Sequence, residues 1–338
     1  MSNSPSEFDK GSSLWLDAWH RLRQNKIAVA SGVFLIVMLI LCFVVAWFCQ
    51  RPNDQNLTNK FAAAGSESVV MVADKDDPEK LVEVHHRHLL GTDQMGRDLL
   101  SRILYGGQLS LVVGLVATAV AFCIGILYGA IAGYSGGRID AFMMRIVDVL
   151  YAIPFLVLVI LLQQLLSSYA DQASDWLIKI LEIKKDATIE NIRRVANVIP
   201  LLIAITALGW LTLARITRAQ VLALKEQEFT QAAKSLGLPP LRILLRHIIP
   251  NTLGPAIIYV TLTIPAFIMY EATLSFLSLG IKAPNSSWGV LIKDGANYME
   301  TQPMLLIVPG LFFTTTLFAF NFLGDGLRDA LDPKAAKD

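Results

Sequence analysis

The sequence predicts an all-α polytopic membrane protein with six transmembrane helices. Apolar residues make up 54% of its 338 residues and charged residues only 17%, whereas soluble domains contain about a quarter charged residues. About six uncharged or nearly uncharged stretches are long enough to cross a hydrocarbon core of roughly 30 Å. The net charge of +1 argues against a nucleic-acid-binding protein.

The first transmembrane helix is predicted at residues 27–49, after a cytoplasmic N-terminal segment at residues 1–26. This run carries no charge and is too long for the core of a signal peptide, so we expect it to stay uncleaved. Arg21, Arg23 and Lys26 precede it, with no acidic residue between them. The positive-inside rule therefore places the N-terminus in the cytoplasm.

Residues 50–105 form the predicted first external loop. Apolar stretches on either side of residues 74–78 predict two strands joined by a turn, and Thr92 and Asp93 are suited to cap a helix that follows. The histidines at 85–88 do not predict a metal site, because adjacent histidines need not share a face and no second cluster completes a ligand set. The three cysteines lie in apolar runs, which predicts small buried side chains and no disulfide: Cys42, Cys49 and Cys123.

The main transmembrane domain is predicted at residues 106–325, with five helices, and residues 326–338 form a cytoplasmic tail. The second span has a small residue at every fourth position from Ala117 to Gly133, which favours close helix packing in lipid, with a hinge as the alternative. Arg145 and Asp148 in the third span are close enough to pair. The five spans are centred on residues 108–132, 141–166, 198–214, 253–277 and 304–323.

Residues 167–197 form an external insertion with its own helical periodicity. Trp176, Leu177 and Ile180 mark one amphipathic face, and a second face follows with Glu190 placed to meet Arg193 or Arg194. This pattern predicts two short helices at the membrane surface.

Residues 216–250 form a polar, basic loop between two apolar spans. Ala232 and Ala233 have no bulk, so a helix that carries them can enter a groove on another protein. Gly237 is suited to a left-handed helix cap, and the prolines that follow it prevent the helix from continuing. The pattern predicts a short knob that contacts a partner, whereas an ordinary amphipathic cytoplasmic loop is the alternative.

The sequence contains no source of energy for transport and no catalytic set. It has no Gly-x-x-x-x-Gly-Lys-Ser/Thr loop for nucleotide phosphates. Glu271 lies inside the fifth span, where an acidic residue costs about 2.5 to 3.5 kcal/mol on insertion scales. It is a candidate for the translocation path or a gate, and an interhelical hydrogen bond is the alternative.

Nearly the whole chain resembles the C subunit of the oligopeptide and dipeptide ABC importers, their second membrane subunit. Gln231-Ala232-Ala233, Gly237 and Pro250 resemble the loop through which such subunits contact an ATPase. Other stretches match the family in the same order: residues 13–23, 25–31, 88–102, 246–251, 287–289, 294–297 and 322–334.

The resemblance implies a type I ABC importer transmembrane fold with both termini cytoplasmic, in the inner membrane of a bacterium. It implies a homologous B-type permease subunit, two ATPase subunits that bind ATP and Mg, and an extracytoplasmic peptide-binding protein as partners. This chain would be non-catalytic, without a cofactor or metal of its own. The residues implied to couple it to the ATPases are Glu228, Gln231, Ala232, Ala233, Gly237 and Pro250.

Two departures from the family pattern affect function. Gln231 stands where the general motif has glutamate, and Glu228 is near enough to compensate for the missing charge. The insertion at 167–197 is longer than is usual and is expected either to pack on the bundle or to adjust contact with the binding protein. Import of dipeptides, nickel or another small solute is the nearest alternative, and an ATP-independent secondary transporter is the alternative from another class.

Overall fold

The computed structural model describes residues 14–49, 52–73, 81–181 and 186–331. Among these residues, six helical segments are long and apolar enough to cross a membrane, as predicted. Their bounds are Lys26–Trp47, Leu99–Ser135, Phe155–Ile180, Thr188–Lys225, Pro240–Phe276 and Met304–Leu331. The prediction for residues 1–13 and most of the 326–338 tail lies outside the described residues.

The helices and one hairpin follow each other along the chain. Helices α1 and α2 precede the antiparallel strands β1 and β2, and the remaining helices complete the bundle. The helices are α1 Leu14–Gln24, α2 Lys26–Phe43, α3 Leu99–Ser135, α4 Gly137–Tyr151, α5 Phe155–Ile180, α6 Asp186–Gly209, α7 Leu211–Lys225, α8 Glu228–Ser235, α9 Pro240–Ile243, α10 Ile249–Phe276, α11 Trp288–Ala296 and α12 Met304–Leu331. The strands are β1 Ser66–Ala73 and β2 Leu81–His88.

The predicted strand pair is confirmed, with Ser66 opposite His88 and Ala73 opposite Leu81; its turn lies outside the described residues. The prediction that Thr92 and Asp93 cap the next helix is wrong. The cap is Asp98, whose carboxylate accepts from the Ser101 backbone N–H at 2.8 Å.

Asp93 instead closes a loop that leads into α3. Its carboxylate accepts hydrogen bonds from the backbone N–H groups of Met95 and Arg97. Gly96 in this loop has φ +69°, and a Cβ there would lie 1.8 Å from the Asn56 carbonyl oxygen. The left-handed backbone conformation of Gly96 cannot be part of an α-helix. The helix therefore begins after Gly96, with Asp98 as its cap, and not at Asp93.

The third span begins later than predicted. Residues 137–151 form the separate amphipathic helix α4, and α5 begins only at Phe155, after Pro154. Proline has no N–H to donate to the preceding turn, so the helix breaks there. Asp148 pairs with Arg215 of α7, 2.7 Å away, rather than with Arg145 as predicted.

The insertion at 167–197 does not form two separate surface helices. Its residues extend α5 as far as Ile180 and belong to α6 from Asp186 onward, so they lengthen two spans into a hairpin. Arg193 pairs with Asp175 across this hairpin at 3.2 Å, and the predicted pair of Arg194 with Glu190 is present at 2.5 Å. The ends of two long helices therefore pack against each other here, in place of the packing on the membrane surface that the amphipathic faces predicted.

The small residues of α3 allow α7 to approach closely, which confirms the packing prediction. A Cβ at Gly129 would lie 2.3 Å from the Ala214 carbonyl oxygen, and one at Gly125 would lie 2.8 Å from the Leu213 Cβ. With no hydrophobic effect between helices in lipid, such close contact is the main source of association.

A second core joins α3 to α11 and α12 around Trp288, which is fully buried. Its indole N–H donates to the Ile103 carbonyl at 3.1 Å. Cys42 is buried in this core as predicted, but Cys123 is exposed on the bundle surface. Apolar side chains such as Val120 and Ile124 are exposed on the same helix, so this surface suits lipid and burial in protein is not required of a cysteine there.

Candidate functional site

The candidate site is α8 with the loop around it, at the end of the bundle opposite the β-hairpin. Since α3 has 37 residues, the two ends lie about 55 Å apart. Helix α8 ends at Ser235, and Gly237 just beyond it has φ +73°, as predicted for its cap. The Leu238 N–H donates to the Ala233 carbonyl and the Gly237 N–H to the Lys234 carbonyl, the paired bonds of a Schellman cap.

One face of α8 is bound to its own chain. Thr230 is fully buried, and its hydroxyl donates to the Leu224 carbonyl at 2.8 Å. Ala233 is only 5% exposed and packs in a cluster with Val221 and Ile248. The expectation that Ala233 enters a partner's groove therefore needs correction, because its side chain already faces the core of this chain.

Gln231 has a role that glutamate cannot fill. Its amide N–H donates to the Lys225 carbonyl at 3.1 Å, at the end of α7. A carboxylate has no hydrogen to donate. The departure from the family pattern is thus accompanied by an extra bond between α8 and α7, while Glu228 stays exposed.

The opposite face of α8 is free for a partner. Ala232 and Gly237 are exposed there, and Leu236 beside them is 81% exposed. Gln231 at the edge of this face is also exposed, although its amide bonds to Lys225. Further exposed apolar side chains lie on α8 and in the segment that follows it, and exposed apolar groups in a polar loop suit a protein interface: Phe229, Leu241 and Leu245. Pro250 is also exposed, at the start of α10 and outside α8.

Polar bonds hold the base of this loop to the bundle. The Lys225 ammonium donates to the Tyr134 carbonyl at 2.8 Å. The Arg218 guanidinium makes two bonds to the buried Asp140 carboxylate, at 2.5 and 2.6 Å. Bidentate pairs of this kind fix orientation as well as distance. A force on α8 would therefore reach α3, α4 and α7 together.

Glu271 lies in a hydrogen-bond network that connects three helices. Its side chain is fully buried and accepts from the Ser110 hydroxyl of α3 at 2.8 Å and from the Ser275 hydroxyl at 2.7 Å. Ser110 in turn accepts from the backbone N–H of Trp288 of α11 at 3.3 Å. This geometry corresponds to the interhelical alternative, and a role in a gate stays a prediction.

An ionic cluster at the hairpin end was not predicted from the sequence. Arg102 is 2% exposed, bonds to Asp93 at 2.5 Å, and lies 3.7 Å from Asp294 of α11. Arg97 bonds to the same Asp93 carboxylate at 2.7 Å. Burial raises the pKa of Asp294, while the nearby Arg102 charge opposes that rise. The sequence signal for this cluster was Arg102 itself, because an arginine at the start of an apolar span needs a buried acidic partner.

The buried His88 lies at the same hairpin end of the bundle and has a structural role. Its ring bonds to the Ser68 hydroxyl at 2.8 Å and to the Asp98 carboxylate at 2.9 Å. This order resembles a hydrolytic triad, but Ser68 is only 4% exposed and has no access to a substrate. The series instead connects β1, β2 and the cap of α3.

Two models of known protein families match the chain. A model described as binding-protein-dependent transport system inner membrane component matches residues 125–337, more than half of the chain. The chain belongs to this family. A second model, the N-terminal TM domain of oligopeptide transport permease C, matches residues 13–64 of this inner membrane component.

Relatives match this transport component over almost its full length. It is 42% identical to the oligopeptide transport system permease protein OppC of Haemophilus influenzae, over 96% of this chain and 90% of that protein. It is 40% identical to OppC of Escherichia coli strain K12, over 96% and 93%. It is 38% identical to the dipeptide transport system permease protein DppC of Bacillus subtilis, over 94% and 85%.

A solved structure supports the same fold at lower identity. The MetNI methionine ABC transporter matches with a TM-score of 0.50 at 15% identity, over 68% of this chain and 96% of that one. The chain is therefore a multi-pass permease of the bacterial inner membrane with the transmembrane fold of an ABC importer.

Proposed function

We propose that this permease is the C-type membrane subunit of an ATP-driven importer of oligopeptides. It forms the translocation path with a homologous B-type subunit and transmits force from two ATPase subunits. Those subunits bind ATP and Mg, and an extracytoplasmic binding protein delivers the peptide. Identity to the OppC proteins supports the substrate class, and the DppC relative makes dipeptides the second candidate.

The observation that carries the proposal is the exposed face of α8. This helix is anchored at Thr230 and Gln231, yet it leaves Ala232 and Leu236 uncovered. A rigid apolar knob of this kind fits a groove on an ATPase and can transmit a rigid-body motion. Six basic residues against two acids between Arg215 and Arg246 favour a cytoplasmic position for this end and for both termini.

Purification from native membranes in mild detergent tests the assembly. We expect a P-loop ATPase and a second six-span subunit to accompany the chain in stoichiometric amounts, because α8 has an apolar face to cover. A chain that purifies alone and moves solute in vesicles without ATP would overturn the proposal in favour of a secondary transporter. Recovery with ATPases but stimulation only by a non-peptide solute would retain the importer and reject the substrate.

We further propose that Glu271 joins helices rather than acting as a gate. Glu271→Gln keeps the shape of the side chain, and the two serine hydroxyls can reorient to meet an amide. We expect its complex to form in normal yield with uptake within about twofold of wild type. Glu271→Leu removes the acceptor of two buried serine hydroxyls, at a cost of up to about 1–3 kcal/mol each, and should lower yield.

Uptake normalised to the amount of assembled complex distinguishes the two roles of Glu271. Normal yield of the Glu271→Gln complex together with a loss of transport would contradict the joining role and support a gate. The matched control is Ser275→Ala, which removes one bond to Glu271 and leaves its carboxyl group in place.

A further inference from the structure

A cavity of about 540 Å³ lies where α4, α5, α6, α7 and α10 meet. Its volume falls within the range of ligand-binding clefts, about 300–1,000 Å³. Tyr270 lines this cavity, whereas its neighbour Glu271 bonds to Ser110 and Ser275. The cavity is thus distinct from the Glu271 network and from the face of α8.

Two interruptions between helices lie in the wall of this cavity, and the second of them falls inside the span Thr188–Lys225. One is Ala152–Pro154, between α4 and α5; the other lies between Gly209, which ends α6, and Leu211, which begins α7. Neither helix start has a side-chain cap. Irregular backbone at membrane depth occurs where it is buried or lines a water-filled cavity, and broken helices form substrate sites in transporters.

The polar groups of the wall are neutral hydroxyls, and none of its described side chains is charged. The Tyr151 and Thr212 hydroxyls bond to each other. Aromatic rings fill the wall between these groups, with the rings of Phe155 and Tyr270 4.4 Å apart. The hydroxyls are those of Tyr151, Thr212, Tyr259, Thr263 and Tyr270.

A charged pair stands beside the cavity. The Arg215 guanidinium lies 4.0 Å from the centre of the Tyr151 ring and bonds to Asp148 at 2.7 Å. Its charge is already matched by this carboxylate, so it offers no free counter-ion to a ligand. Recognition in the cavity must therefore come from hydrogen bonds and apolar contact.

We propose that this cavity binds the main chain of a peptide in transit, an inference that rests on the proposed importer function. A neutral hydroxyl can donate to a peptide carbonyl or accept from a peptide N–H. Aromatic rings pack against side chains of many shapes. Because the wall carries no charge, acidic, basic and neutral peptides are held through the groups they share.

Cysteine protection in the assembled, full-length transporter tests the proposal. Ala266 lies in the wall, and Ala266→Cys is made after the three native cysteines have been replaced. The matched control is Ser168→Cys, exposed on α5. The probes are trialanine and tripeptides of equal length with a central glutamate or lysine, and the readout is the labelling rate with N-ethylmaleimide.

We expect each tripeptide to slow labelling of the Ala266→Cys complex about tenfold at ten times its Kd, and to leave the Ser168→Cys rate unchanged. If peptide does not change the labelling rate of Ala266→Cys in a complex that imports peptide, the cavity is not the binding site. That result would overturn the cavity proposal and retain the importer. Protection by only one charge class would overturn main-chain recognition. A complex of native sequence that imports no peptide would overturn the proposed function itself.

Labelling of the isolated and of the assembled Ala266→Cys chain shows whether the partner permease fills the cavity. Labelling of the isolated chain but not of the assembled one would show that it does, and would overturn the proposal.

A second variant fills the cavity directly. In the native background, Ala266→Trp should reduce uptake of all three tripeptides at least about tenfold at unchanged complex yield. Normal uptake by that variant would also contradict the site.

Discussion

Replacing Ala232 with arginine is expected to reduce ATP-driven peptide uptake by at least about thirtyfold. Ala232 is exposed at the centre of the free face of α8, so an arginine keeps the fold but blocks close approach of an ATPase. Loss of a contact at the core of an interface costs about 2 kcal/mol or more, which corresponds to this factor. The measurement is uptake in proteoliposomes together with the amount of ATPase bound to the membrane subunits.

Two neighbouring substitutions make this prediction specific. Ala232→Ser stays small and should retain uptake. Ala233→Arg places a charge in the cluster of Val221 and Ile248, so it should lower the yield of folded protein rather than uncouple a folded complex. Normal uptake by Ala232→Arg, at normal ATPase content, would remove α8 from the coupling interface.

Replacing Asp93 with alanine is expected to cause the largest loss of stability. Its carboxylate accepts from the Met95 and Arg97 backbone and from the side chains of Arg97 and Arg102. Without it, Arg102 remains buried, and Asp294 at 3.7 Å is the acidic partner that is left to it among the residues that the structure describes. Breaking a buried ion pair by removing one partner costs about 3–5 kcal/mol. The measurement is thermal unfolding of the purified chain in detergent.

The matched control for Asp93→Ala is Asp175→Ala. Asp175 also pairs with an arginine, but both side chains of that pair are more than half exposed, and such pairs contribute about 0–1 kcal/mol. We therefore expect a clear shift in the unfolding temperature for Asp93→Ala and almost none for Asp175→Ala. Equal shifts would show that the cluster at the hairpin end contributes no more than a surface pair.

The sequence predicts features that depend on local backbone chemistry. Gly237 predicted the left-handed cap because few other residues adopt φ +73° without strain. Gly125 and Gly129 predicted close packing of α3, since small residues favour helix contact in lipid. The six spans followed from apolar length alone, which the bilayer thickness imposes.

The remaining features depend on contacts between distant parts of the chain. Ala232 and Ala233 are equivalent in composition, and only the packing of α8 on Val221 and Ile248 distinguishes the exposed one from the buried one. Arg102 meets Asp294 across nearly two hundred positions, which a single sequence does not reveal.

The cavity was missed for a similar reason. Pro154 is visible as a helix breaker, but nothing in the sequence places that break beside Gly209. The amphipathic faces at 167–197 were also ambiguous, because a face that suits a membrane surface suits a neighbouring helix equally well.

The central claim is that an ATPase drives peptide through this permease, and uptake by reconstituted complexes tests it most directly. Purified complexes in proteoliposomes receive a labelled tripeptide and its binding protein on one side and ATP with Mg on the other. We predict accumulation of peptide with ATP and none with a non-hydrolysable analogue. Equal uptake in both conditions, or uptake by this chain without ATPase subunits, would contradict the account.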